Sequence, residues 1–275
     1  MDLPDLILGV RAHDYGKQSA ESLFRAIAGD GWQAVQLAFP KAIAGVDAFA
    51  GVSPPLVAET KAALAATGLS VAVLGVYVEP SLVDEAARKA HVRTLIGALA
   101  QARALDAACV GTETTSVHAQ PGATRAEALR ALYRSLEEIL PEAERLGVNL
   151  AVEPVHHHTL GTPELASKLL RDIASPRLKI IFDPINLLRL EDIEAQQSLW
   201  ARCMAHFGAE IVAVHIKGAA RAADASGMLA DAPFASSVVD YPPLFAHLRP
   251  LKAPILREGA IPSEARSDIA FLRSM

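Results

Sequence analysis

Short apolar runs, each closed by a polar or glycine-containing turn, recur about every 35 residues along this 275-residue chain. They occupy residues 6–10, 34–37, 70–75, 107–111, 149–153, 178–183, 211–215 and 253–258. Each is short and dominated by Val, Ile, Leu and Ala, so each reads as a strand covered on both faces. Between them lie amphipathic stretches rich in Ala, Leu, Arg and Glu, at residues 19–28, 55–67, 82–105, 124–146, 163–173, 193–207, 241–248 and 262–272. Helix punctuation agrees with this division. Pro163 follows Thr162 as a first helical residue, and Gly68 and Gly147 close two of the runs. Eight strands alternating with eight helices predict an α/β fold, a (β/α)8 TIM barrel in a single domain over residues 1–275. A doubly wound open sheet is the rival, but residues 10–16 form no glycine-rich phosphate loop after the first strand.

Composition narrows the function. The 51% apolar content suits a large core, and the net charge of −5 argues against a nucleic-acid partner, which needs a basic face. Cys109 and Cys203 show no Cys-X-X-Cys spacing, which fits a reduced, cytoplasmic setting. The first residues carry Asp2 and no basic segment, so a secretory signal is not expected. No apolar run reaches the roughly 18 residues of a membrane span. The one long irregular stretch, residues 217–239, is expected to be a lid or substrate-binding loop.

The last four runs end on Glu153, Asp183, His215 and Glu258. Parallel strands side by side bring their C-terminal ends together, so these side chains are expected to meet at one barrel mouth. Three carboxylates and an imidazole repel one another unless a cation lies between them, and a divalent metal is the simplest one. The donor set suits Mn²⁺, Mg²⁺, Co²⁺ or Zn²⁺ and, lacking thiolates, gives zinc no special preference. A single strand-end carboxylate is ordinarily a loop cap or an ion pair. Four titratable groups on consecutive strands argue for a shared ion.

Glu153-Pro, the Phe182-Asp-Pro-Ile-Asn186 segment, His215-Ile-Lys217 and Arg257-Glu258 resemble the xylose-isomerase-like barrel superfamily of sugar isomerases and epimerases, in particular its ketose 3-epimerase branch. The resemblance implies one Mn²⁺ held by Glu153, Asp183, His215 and Glu258. It implies that Glu153 and Glu258 double as the acid/base pair, while Asp183 and His215 are ligands only. The chemistry is proton abstraction beside a carbonyl through an enediolate. Arg221 matches an arginine that contacts substrate oxygen, with a solvated loop arginine as the ordinary alternative. The substrate class it implies is a small sugar or sugar derivative, and relatives are often homo-oligomers. Two positions depart from the pattern: Asn186 stands where many members carry His, and Gly218 where many carry Asp. Both losses weigh against a second or third metal, and hence against the abasic-site endonuclease branch.

Further polar residues belong at the predicted mouth. His156-His157-His158 follows Glu153; on an extended segment at most two of the three could face one ion, and His156 is the one expected to line a sugar pocket. Asn186 and Lys217 are further candidates for substrate contacts. His118 and His13 could shuttle protons or simply cap loops, and Gln36 and Glu113 could bind hydroxyls. Trp32 and Trp200 read as packing residues. The functional expectation is a metal-dependent sugar isomerase or epimerase. A lyase or dehydratase on a keto-sugar, keto-glycoside or cyclitol shares the first step. An abasic-site hydrolase and a non-catalytic barrel are the other classes.

Overall fold

The computed structural model of the protein describes residues 6–221 and 229–275. Among them eight parallel strands close into a barrel: β1 Leu8–Arg11, β2 Ala34–Leu37, β3 Ser70–Gly75, β4 Cys109–Glu113, β5 Asn149–Glu153, β6 Leu178–Phe182, β7 Ile211–Ile216 and, after a hairpin, β10 Ile255–Arg257. Each strand pairs with its chain neighbours, and β1 closes the ring on β10. The expected (β/α)8 architecture is therefore present. Helices start where the caps dictate. Asp84 accepts from the Ala87 amide and starts the third long helix at Glu85, three residues after the periodicity suggested. Thr124 and Glu127 form a reciprocal capping box ahead of helix Arg125–Leu146.

The core has two parts, because every strand is buried on both faces. The larger part lies between sheet and helices and includes Phe24, Leu99, Leu136, Phe182, Trp200 and Phe245. The smaller part fills the barrel lumen with Ala34, Val73, Cys109, Ala151, Ile181, Ala213 and Leu256. Small residues dominate there because eight strands leave little room. A Cβ on Gly111 would lie 2.5 Å from Val73 Cγ1 and 2.6 Å from Ile181 Cδ1. Cys109 and Cys203 are both buried and unpaired. Trp32 and Trp200 are packed in the core, Trp32 donating its indole N–H to Tyr15.

Residues 217–239 are not simply irregular. They contain an antiparallel hairpin, β8 Gly218–Arg221 with β9 Leu229–Ala232, and residues 222–228 lie outside the described set. Gly218 is required by the close approach of this hairpin, since a Cβ there would strike the Ala232 carbonyl oxygen. Among the described residues no helix is long and apolar enough to cross a membrane.

Candidate metal centre at the barrel mouth

Strand parity decides which side chains reach the mouth. Successive residues of a strand point to opposite faces, so a residue two positions beyond a lumen-filling one also faces the lumen. Ala151 is followed at that spacing by Glu153, Ile181 by Asp183, Ala213 by His215 and Lys217, and Leu256 by Glu258. On the other half of the ring Cys109 leads through Gly111 to Glu113, and Val73 through Gly75 to Tyr77. In β2 Ala34 leads in the same way to Gln36, and the register irregularity between β2 and β3 falls in β3, where Ala72 is the extra residue between Val71 and Val73.

Glu153, Asp183 and His215 come together: one ligand atom from each lies within 4.8 Å of the others, and all three residues are buried. His215 Nδ1 is 3.1 Å from Glu153 Oε2 and 3.7 Å from Glu258 Oε2. Asp183 Oδ1 caps the following turn, accepting from the amides of Ile185 at 2.7 Å and Asn186 at 2.9 Å. Its other oxygen, Oδ2, faces the cluster. Neither Asp183 Oδ2 nor His215 Nδ1 makes a well-aligned hydrogen bond, although both residues are at most 1% exposed; each has a charged neighbour at 3.1 Å, Lys217 Nζ and Glu153 Oε2 respectively. Buried polar atoms without a well-formed hydrogen bond are uncommon, so two of them converging on one point mark a candidate place for a bound ion. The donor set and these atoms together could hold a divalent metal, and Glu258 Oε2 lies beside them, 3.7 Å from His215 Nδ1.

Supporting contacts orient these groups. His215 Nε2 donates to Gln36 Oε1, which leaves Nδ1 as the nitrogen aimed at the cluster. Gln36 in turn donates to the Tyr77 hydroxyl. Asn186 Nδ2 donates to Glu153 Oε1 at 2.6 Å, and Lys217 Nζ donates to Asn186 Oδ1 at 2.8 Å. Lys217 Nζ also lies 3.1 Å from Asp183 Oδ2 and 3.4 Å from Glu258 Oε2, while Arg11 Nη1 reaches Glu258 Oε1 at 2.6 Å. The cluster therefore carries two fixed cations of its own, Lys217 and Arg11, which the expectation of mutual repulsion did not include.

Protonation follows from this arrangement. Burial disfavours a charge on His215, but Glu153, Glu258 and Asp183 outweigh it and push its pKa up to about 9. Burial raises Asp183 to about 6 against the pull of Lys217. Burial also opposes the charge on Glu258, yet Lys217, His215 and Arg11 prevail and hold its carboxyl at about 2. Glu113 is raised to about 7 by burial and then by Glu153 and Glu258.

The xylose isomerase-like TIM barrel family matches residues 24–275, nearly the whole chain. The protein belongs to that family. No curated protein matches it by sequence. Among solved structures that this chain resembles, an Escherichia coli 3-keto-D-glucoside 4-epimerase in its apo form superposes with a TM-score of 0.73 at 18% identity, covering 98% of this chain and 100% of that one. A xylose isomerase-like TIM barrel protein from Mycobacterium smegmatis in complex with magnesium gives 0.72 at 18% identity, covering 100% and 98%. A D-psicose 3-epimerase in the presence of D-fructose gives 0.75 at 15% identity, covering 98% and 99%. At such identities the likeness concerns the fold.

The other candidate residues of this xylose isomerase-like barrel divide sharply. Asn186 and Lys217 sit inside the cluster, bound as described. His156 lies beside it, its Nδ1–H donating to the Asn186 carbonyl at 3.1 Å. The three histidines are not extended: His158 N bonds the Val155 carbonyl at 2.8 Å, so the segment turns and successive rings meet edge to face at 4.8 and 4.6 Å. His158 Nδ1 stands 3.6 Å from Glu113, but burial and His157 hold its pKa at about 4, so it is neutral. His13 is likewise kept neutral, at about 4, by burial and by Arg11, which leaves it unsuited to carrying a proton as a cation. His118 is exposed on the rim and is not brought into the cluster. Arg221 turns outward to Glu194, at 3.2 Å and half exposed, away from the predicted metal ligands. Among the described residues Glu153, Asp183 and His215 form the one grouping of three ligating side chains, consistent with a single ion.

Proposed function

We propose that this barrel is a divalent-metal-dependent sugar isomerase or epimerase that moves a proton on the carbon beside a carbonyl. The observation that carries this reading is the convergence of buried Asp183 Oδ2 and His215 Nδ1, neither in a well-aligned hydrogen bond, with the Glu153 carboxylate. Glu153, Asp183, His215 and Glu258 would hold the ion; their donor set suits Mn²⁺, Mg²⁺, Co²⁺ or Zn²⁺, and the resemblance to ketose 3-epimerases puts Mn²⁺ first. When bound, such an ion supplies Lewis acidity to a carbonyl and its neighbouring hydroxyl.

The chain's own residues do the rest. Glu153 stands on β5 and Glu258 just past β10, with β6 and β7 between them around the ring, so the two carboxylates address a ligand from different sides. Glu153, aimed by Asn186, accepts the proton from carbon. Glu258, steadied by Arg11 and ionised at neutral pH, would take up a proton from solvent and return it to carbon from the other side, and this pair of roles is what inversion at a carbon requires. Lys217, Asn186 and His156 lie where hydroxyls would be gripped. Beyond Tyr77 a cavity of about 360 Å³, lined by Ala38, Lys41, Phe49, Gly75 and Thr94, offers room for the remainder of a sugar.

The direct test is solvent exchange. In D2O the metal-loaded protein should introduce deuterium beside the carbonyl of at least one member of a ketose panel, and chelation should stop it. Absence of exchange with every ketose and all four metals would sink the reading, whereas loss of a substituent in place of exchange into an isomer would redirect it to elimination.

Metal binding should also release a proton. His215 keeps its proton up to about pH 9 without an ion, and coordination needs the Nδ1 lone pair. Apparent affinity should therefore fall about tenfold per unit as pH drops from 8.5 to 7, and more steeply below 6 as Asp183 protonates. Calorimetry in two buffers of different ionisation heat should give about one proton released per ion at pH 7.5.

A further inference from the structure

We infer that the Lys217 ammonium is a built-in competitor for the metal, and that it sets how tightly the ion is held. The inference rests on the metal reading above and concerns which atoms remain for coordination. Asp183 and Glu258 each have one oxygen already committed. Asp183 Oδ1 accepts from two backbone amides, and Glu258 Oε1 accepts from Arg11 at 2.6 Å. Their remaining oxygens, Asp183 Oδ2 and Glu258 Oε2, are the ones that an ion requires. Lys217 Nζ lies 3.1 Å from the first and 3.4 Å from the second. Its third partner is Asn186 Oδ1, at 2.8 Å.

Strand parity places it there: Lys217 lies two residues beyond His215, just past the end of β7 and on the same side, with a side chain 11% exposed. A divalent ion gripping those two oxygens either shares them with an ammonium a few ångströms away or displaces it. Both alternatives weaken binding, because like charges repel strongly where water is excluded. Lys217 also balances the carboxylates when no ion is bound, so the barrel can fold before it is loaded. Asn186 links the two functions, holding Lys217 with its oxygen and Glu153 with its amide.

The test measures Mn²⁺ binding by calorimetry and the Mn²⁺-induced rise in Tm for the wild type, Lys217→Met, Lys217→Gln and Lys217→Arg. The neutral variants should bind Mn²⁺ at least ~10-fold more tightly and gain more Tm from it, while Lys217→Arg, which keeps the charge, should stay within about threefold of wild type. Lys217→Gln keeps a donor for Asn186 and serves if the methionine variant does not fold. Equal or weaker binding by the folded neutral variants overturns the role of Lys217 and leaves the metal centre standing. No saturable Mn²⁺ binding by any of the four proteins overturns both.

Discussion

Glu153→Gln is expected to lower turnover of a ketose substrate by about 10³-fold or more while the barrel stays folded. The side chain is 1% exposed, its Oε1 is fixed by Asn186 at 2.6 Å, and its Oε2 faces His215 at 3.1 Å. Glutamine keeps the volume and one oxygen, so the packing of β5 is preserved. It loses the negative charge, and with it both the proton acceptor and a metal ligand. The two losses are separable. At saturating Mn²⁺ the deficit in kcat reports the missing base, and the rise in the Mn²⁺ dissociation constant reports the missing ligand. Deuterium exchange from solvent should vanish with kcat. A folded Glu153→Gln protein that retained more than a tenth of wild-type turnover would remove Glu153 from the chemistry. Glu258→Gln should behave differently, because Arg11 and Lys217 both lose a partner and KM and metal affinity should move together with kcat.

The largest effect on stability is expected at Arg257, the last residue of β10. Parity turns it outward, away from the lumen that Leu256 and Glu258 face. Its Nε donates to Asp268 on helix Ala265–Ser274 at 2.8 Å, both side chains are under 10% exposed, and its guanidinium lies 4.6 Å from the Phe234 ring centroid. Arg257→Met strands the Asp268 carboxylate in the interior, and breaking a buried pair in this way costs about 3–5 kcal/mol. For a chain of this length that corresponds to a fall in Tm of roughly 6–10 °C. Removing both charges in Arg257→Met/Asp268→Leu should recover most of the loss, because the penalty comes from the orphaned charge and not from the absent bond. Urea unfolding of the three proteins checks this; a single variant within 1 kcal/mol of wild type would show that water reaches Asp268.

These expectations draw unequally on what could be read from residue order. The alternation of strands and helices was plain because every barrel strand is covered on both faces, which leaves an uninterrupted apolar signature. Boundaries were less plain. β4 runs through Glu113, two residues beyond its apolar segment, because the lumen at the mouth tolerates a carboxyl. The convergence of Glu153, Asp183 and His215 also followed from residue order, since neighbouring parallel strands of similar length end at one level. The same period-two count agrees with two further positions read from the sequence as lying at the mouth, Glu113 at the end of β4 and Lys217 just past β7.

Other features of the site have no local signature. Arg11 meets Glu258 across 247 positions because β1 closes the ring against β10, a fact of barrel closure. The Gln36–Tyr77 bond joins side chains 41 positions apart that meet only because β2 and β3 are neighbours in the barrel. The turn at His156–His158 and the outward swing of Arg221 to Glu194 depend on hydrogen bonds and charges supplied by distant segments. Periodic burial, a property of consecutive residues, thus decided which strands exist and which faces they bury. The balance of charge around the ion's place was settled by three-dimensional proximity, because Coulomb forces act between atoms that the chain's linear order leaves far apart.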